Sequence, residues 1–416
     1  MTETLVMAEI GPRSFETVQP GACYRLSLPG IETYIEADRL AWRAHELSGE
    51  IKVTTALAGT MATDGVLSVS RLNISSTRAR SEFANHLERA SRAKDIPWAH
   101  LIAEFAQRIL AAERTGEPAV ALRDVPRPIA QDRALRLFGF CLPLRHATII
   151  FGDGGASKSL LSLYLGGRLA EDGYRVLLAD WELDGADHRE RFEQLFGADM
   201  PATLFYTRCS RPLVHDADRL TRLVRQQGID FGIFDSVGFA CHEAPETAAA
   251  ALAYFQGARQ IGIGGIHIAH INRSESGDQK PFGSQFWHNS ARATYFLKPT
   301  EDSQRLTVGV FNRKSNLGPK LPPFAYDVEF DGGRTIFRQT EISDVSELSG
   351  QVPLSQRLRA YLKAGSRTRE EIAREFDDEK PDTIRRTLER QVQRGQLVKF
   401  PTSDGSERYG LKARTA

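Results

Sequence analysis

The spacing of apolar positions changes along the chain and divides it into three parts. From Cys23 to Ile74 apolar and polar residues alternate, in Tyr24-Arg25-Leu26-Ser27-Leu28, Ile31-Glu32-Thr33-Tyr34-Ile35, Ile51 to Thr55 and Val66 to Ile74. Turn residues lie between them at Pro29-Gly30 and Thr63-Asp64-Gly65. A period of two punctuated by turns predicts a small antiparallel sheet. Ser75-Ser76-Thr77 predicts the cap of a helix to about Ala90, and Trp98 to Arg114 a second helix. Residues 1–128 are thus expected to form an α+β domain, closed by the linker signals Gly116-Glu117-Pro118 and Val125-Pro126-Arg127-Pro128.

Over 129–345 the pattern becomes short apolar runs alternating with helical periods. The runs are Thr148 to Phe151, Tyr174 to Glu182 with acidic residues at its end, Leu204 to Tyr206, Ile229 to Ser236 with an aspartate near its end, and Gly265 to His270. Continuous apolar strands separated by helices predict parallel β-α-β units with both sheet faces covered, and ligands at the carboxyl ends of the strands. Lys158, Glu182, Asp235 and His270 all fall at such ends. Leu306 to Phe311 and Ala325 to Phe330 predict a closing antiparallel pair.

The tail, 351–416, has a third rhythm. Leu354 to Leu362 predicts one helix, Thr368 to Phe376 a second with Glu371 completing a capping box, and Pro381 to Arg394 a third ending at Gly395. Two short strands, Leu397 to Phe400 and Arg408 to Leu411, flank a Ser403-Asp404-Gly405 turn. Three helices and a hairpin predict a winged helix-turn-helix.

Composition narrows the function. At 416 residues several domains are expected, and a net charge of +1 confines any nucleic-acid surface to a local patch. Four scattered cysteines, Cys23, Cys141, Cys209 and Cys241, form no C-x-x-C pair and suggest core thiols in a reducing compartment. With no signal peptide and no run of membrane-spanning length, a cytoplasmic protein away from membranes is expected. Arg78, Arg80, Arg89 and Arg92 make the first predicted helix basic, which fits a solvated face or a nucleic-acid contact.

The chemistry centres on Gly152-Asp153-Gly154-Gly155-Ala156-Ser157-Lys158-Ser159-Leu160, where an apolar strand breaks into a glycine-rich turn and then a helix. This is the layout of a phosphate-binding loop. Backbone N–H groups wrap the phosphates of ATP, Lys158 meets the β/γ-phosphates, and the Ser159 hydroxyl ligates Mg²⁺. Ser157 stands where the pattern G-x-x-x-x-G-K-[ST] has its last glycine, so a strained or altered backbone is expected there. Asp235, ending a strand, is the expected second Mg²⁺ group. Glu182 is the candidate that orients and deprotonates the attacking water, with Asp180 and Asp184 as competitors. His270 and Asn272 are placed to sense the γ-phosphate.

Gly152 to Ser159, Asp180-Trp181-Glu182, Ile233-Phe234-Asp235-Ser236, His267 to His270 and Lys280-Pro281-Phe282-Gly283-Ser284, in this order, resemble the RecA-type ATPases. Within them they are similar to the RepA-type and replicative hexameric helicase group of plasmids and phages. The resemblance covers about half of the chain. It implies a RecA-like core, a homo-oligomeric ring, usually a hexamer, and ATP bound between subunits. It further implies that Arg313 and Lys314, in Phe311-Asn312-Arg313-Lys314-Ser315, reach a neighbour's γ-phosphate, with Arg292 as a rival. Single-stranded DNA would then meet Arg273 and Lys280 in the segment from Asn272 to Gln285. The basic surplus of the tail, with Arg385, Arg386, Arg390 and Arg394 on its third helix and Lys399 in the wing, points to duplex phosphates or to a protein-docking module. The resulting expectation is a DNA helicase. The alternatives are a nucleotide-switched DNA-binding ATPase that recruits partners without unwinding, and a small-molecule kinase.

Overall fold

The computed structural model describes residues 11–19, 23–93, 95–116, 119–127, 134–271, 281–282, 285–302, 305–342, 348, 352–401 and 407–412. The chain divides into two compact units, Met1–Arg127 and Pro128–Ala416.

In the first unit, β1 (Ser14–Gln19), β2 (Cys23–Leu28), β3 (Thr33–Arg43), β4 (Glu46–Thr55) and β5 (Val66–Asn73) form one antiparallel sheet in sequence order. Its inward residues, among them Leu26, Ile35, Ile51 and Val53, share a core with α1 (Thr77–Ser91) and α2 (Trp98–Thr115). Ser76 caps α1 by accepting from the Ala79 amide at 3.3 Å. On the basic face of α1, Arg78 pairs with Glu82 and Arg80 donates to the Ile74 carbonyl, local bonds that a solvated face makes.

The second unit begins with a hairpin, β6 (Ala134–Leu137) and β7 (Phe140–Pro143). Then follow β8 (Ala147–Gly152), α3 (Lys158–Glu171), β9 (Val176–Asp180), α4 (Gly185–Phe196), β10 (Leu204–Arg208) and α5 (Leu213–Gln227). Next come β11 (Phe231–Asp235), α6 (Val237–Ala240), α7 (Ala248–Ile261), β12 (Gly264–His270) and α8 (Gln285–Ser290). The strands β13 (Ala293–Asp302), β14 (Arg305–Ser315), β15 (Phe324–Asp331) and β16 (Arg334–Thr340) complete it.

Nine strands make one sheet in the order β10-β9-β11-β12-β8-β13-β14-β15-β16. From β10 to β13 the neighbours are parallel, and from β13 to β16 antiparallel. The fold is therefore mixed α/β about a mainly parallel sheet. Every residue of β9 and β11 is buried because each face carries a core. Leu177, Phe234 and Ala269 pack toward α5 and α7, while Leu178, Ile233 and Ile268 pack toward α3 and α4. Strand order reverses where β8 lies between β12 and β13, so α3 starts at the crevice left there.

The tail holds α9 (Leu354–Tyr361), β17 (Arg367–Thr368), α10 (Arg369–Glu375), α11 (Pro381–Gln393), β18 (Leu397–Pro401) and β19 (Glu407–Leu411). Its three strands pair in the order β17-β19-β18 over Leu358, Ile372, Ile384, Leu388 and Tyr409. The predicted capping box is formed: Thr368 Oγ1 accepts from the Glu371 amide and a Glu371 carboxylate oxygen accepts from the Thr368 amide. Leu348 and Val352 are buried in the same cluster as Phe311 and Ile342 of the nine-stranded sheet's core. No helix among the described residues is long and apolar enough to cross a membrane.

Candidate functional site

The turn from β8 to α3 is shaped by two residues for different reasons. Gly152 is closely approached by the next strand: a Cβ there would lie 2.5 Å from the Leu297 carbonyl oxygen of β13. Gly155 has φ +77 with open space around it, so its backbone conformation is what demands glycine. Ser157 is left-handed too, at φ 52 and ψ 26, in the residue just before α3. A side chain in that conformation costs about 1–2 kcal/mol, so the strain expected at this departure is present.

Lys158 begins α3 and is buried. Its ammonium donates to the carbonyls of Gly152 at 3.1 Å and Asp153 at 2.7 Å. Burial lowers its pKa, opposed by the negative charge of Asp235, Glu182 and Asp153. Above it opens a cavity of about 270 Å³ lined by Gly154 through Ser159, Glu182, Leu183, Arg191, Asp235, Ile268 and His270. Of the loop residues named from the sequence, Gly152 and Asp153 serve here as acceptors for Lys158, and Leu160 packs against the core instead of lining the cavity.

Asp235 ends β11 and is 2% exposed. Burial pushes its pKa up to about 6, Glu182 and Asp180 add to the rise, and a hydrogen bond from Ser159 opposes it. Its Oδ1 has no hydrogen-bond partner among the described residues. A buried carboxylate oxygen left open beside a hydroxyl is a hard-oxygen donor set that fits Mg²⁺.

Asp180, Glu182 and Asp184, the three candidate carboxylates of this turn, are separated by geometry. Asp180 is fully buried and fully used. Its Oδ1 accepts from the Glu182 and Leu183 amides, each at 2.9 Å, and its Oδ2 from Tyr206 Oη at 3.1 Å and Arg208 at 2.9 Å. Asp184 caps α4 by accepting from the Ala186 and Asp187 amides, which hold its pKa below the usual carboxylate value. Glu182, between them, is exposed and lines the cavity. The two rivals hold the turn that presents it.

His270 lies at the end of β12 with its pKa lowered by burial and then by Lys158, so it is neutral near pH 7. His267 is different. It is fully buried, stacked on Phe234 and bonded to Tyr254, a core residue with pKa lowered to about 3. Arg191, on α4, was not singled out by the sequence reading, yet it lines the cavity and its charge acts on Asp235. Its available signal was its place two helical turns beyond the Asp184 cap, on the same side of α4.

The more distant residues are held within their own chain. The Lys314 ammonium donates to the carbonyls of His288 at 2.9 Å and Asn289 at 2.7 Å, near the end of α8, and burial beside Arg292 lowers its pKa. The Arg313 guanidinium lies over the rings of Phe296 and Phe311, at 5.4 and 5.5 Å. Arg385 pairs with Asp382 and Glu389, Arg386 with Asp382, and Lys399 with Glu407. Arg390 is exposed. Asn272, Arg273 and Lys280 lie outside the described residues.

No family model and no curated protein matches the chain. Among solved structures, a KaiC-like protein of the hyperthermophilic archaeon Pyrococcus horikoshii aligns with 47% of this chain and 91% of its own, at 15% identity and a TM-score of 0.38.

Proposed function

We propose that the chain is a Mg²⁺-dependent ATPase of the RecA type. The observation that carries this is the convergence on one cavity of Lys158, the Ser159–Asp235 pair and the unencumbered Glu182, at the carboxyl ends of parallel strands. The phosphates of ATP lie against the loop's backbone amides and the start of α3. Lys158 exchanges two carbonyl acceptors for phosphate oxygens, and Ser159 and Asp235 hold the metal. When bound, Mg²⁺ neutralises charge developing on the transferred phosphoryl group. Glu182 takes the proton of the attacking water while Asp180 keeps its turn in place.

The test separates binding from turnover. Lys158→Ala is expected to lose tight ATP binding, and Glu182→Gln to keep it while losing phosphate release by at least about a hundredfold. Parental hydrolysis by Glu182→Gln refutes the assignment of the base.

The finer reading is a ring-forming motor on DNA, similar to RepA-type replicative helicases. The ordered motifs support it, as does a tail of three helices and a hairpin in the manner of a winged helix. A nucleotide-switched DNA-binding ATPase without unwinding is the second reading, favoured by the strained Ser157. Molar mass in solution with and without ATP, Mg²⁺ and single-stranded DNA, together with strand separation during turnover, distinguishes the two.

A further inference from the structure

A second cavity, of about 490 Å³, is lined by other residues of α4 than the first, Gly185, His188, Arg189 and Phe192 in place of Arg191. Its size falls within the ordinary range for small-molecule sites. Phe192, Met200 and Leu204 supply apolar surface, and the Tyr206 ring supplies an aromatic wall. His188 lines it as well, 5% exposed; its Nε2 faces Asp180 Oδ1 at 3.6 Å, and its Nδ1 has no hydrogen-bond partner among the described residues. A buried ring nitrogen left without a partner is costly, so a site holding one is complete only when something polar meets it. Burial lowers the pKa of this histidine, leaving a neutral ring with one donor and one acceptor. Arg189 stands at the mouth, its side chain 65% exposed and only loosely paired with Glu193 at 3.9 Å.

The cavity is also wired to the first site. Tyr206 Oη donates to Asp180 Oδ2, and His188 Nε2 lies 3.6 Å from Asp180 Oδ1. That same Oδ1 accepts from the Glu182 amide. A molecule touching His188 and Tyr206 therefore presses on the carboxylate that positions Glu182.

We propose that this cavity is a second ligand site, for a planar aromatic molecule bearing one anionic group, and that its occupant modulates Glu182 through Asp180. The ring packs among Tyr206, Phe192, Leu204 and Met200, where aromatic and thioether contacts favour a flat π-system. Its polar edge meets His188, and its anion draws Arg189 away from the long Glu193 contact. The coupling rests on the ATPase reading above. The binding does not.

The probe is 8-anilinonaphthalene-1-sulfonate, titrated by fluorescence against the full chain in EDTA without nucleotide. One site per chain is expected, unchanged by saturating ATP and Mg²⁺ and unchanged in Lys158→Ala. Ala202→Trp, at an exposed lining residue, is expected to weaken it about tenfold or more by filling the space. Arg189→Ala alters only an exposed side chain, and is expected to weaken the sulfonate severalfold while leaving uncharged N-phenyl-1-naphthylamine unaffected. Displacement of the probe by ATP, or full affinity in both variants with parental melting curves, overturns the site. In phosphate-release assays the saturated probe is expected to change the rate severalfold in the parent and not in Ala202→Trp. An unchanged parental rate with the probe bound overturns the coupling alone, and absence of any ATPase with intact probe binding overturns the ATPase reading while the site stands.

Discussion

At the scale of single residues, the site rests on conformations and charges that are individually unfavourable. Ser157 occupies a left-handed conformation that glycine adopts freely. Ser157→Gly is expected to raise unfolding free energy by up to about 1 kcal/mol, the relief of the side-chain penalty less the greater freedom of glycine when unfolded. Gly155→Ala, with the same sign of φ and nothing within 4 Å, is expected to lose about 1–2 kcal/mol through conformation alone. Denaturant titration of the two variants checks both signs. Asp235 carries the matching electrostatic cost. Its pKa is raised from 3.8 to about 6 in the folded chain, so its stabilising contribution is complete below about pH 3.8 and is lost as the pH rises through about 6. In EDTA at pH 7.5, Asp235→Asn is therefore expected to be more stable than the parent by on the order of 2–3 kcal/mol, with the difference closing toward pH 4. Equal stability at both pH values contradicts a buried, raised carboxyl.

At the scale of elements, the sequence reading placed the strands of continuous apolar character, because burial on both faces leaves an unbroken run that composition shows directly. It did not find β13, although Ala293-Thr294-Tyr295-Phe296-Leu297 pairs with β8 from Thr148 to Gly152. That segment follows α8 without a turn signal, and its partner is set by a contact no local pattern contains. Gly152 records that contact from the other side: read as a phosphate glycine, it is also the point where Leu297 comes closest. Gly152→Ala is expected to lose about 1–3 kcal/mol even without nucleotide, since the obstruction is backbone and cannot swing aside. An unaltered melting transition in the nucleotide-free protein assigns Gly152 to the ligand alone. The Glu182 turn is similar. Its acids were legible as a D-x-E-x-D cluster, but their division of labour lay in Tyr206 and Arg208 on β10, which only the parallel pairing of β9 with β10 brings to Asp180.

At the scale of the whole molecule, the tail's charge as counted along the sequence and its charge as folded differ in meaning. The surplus of basic residues is real, but Asp382 faces both Arg385 and Arg386, Glu389 faces Arg385, and Glu407 faces Lys399. Exposed pairs of this kind are weak, on the order of 1 kcal/mol or less each, so phosphates can displace the acids at modest cost. Their presence nonetheless reduces the cationic field that a duplex meets. If this surface binds duplex DNA, neutralising the three acids together as Asp382→Asn, Glu389→Gln and Glu407→Gln is expected to tighten binding. It is also expected to steepen the dependence of log affinity on log salt by roughly two to three, as Arg385, Arg386 and Lys399 become available to phosphates. The same triple change is expected to leave nucleotide-dependent turnover without DNA unaltered, because none of the three lines the cavity above Lys158. Affinity and salt slope that do not move, in a protein with parental melting behaviour, place duplex DNA elsewhere and leave the tail as a surface for protein partners.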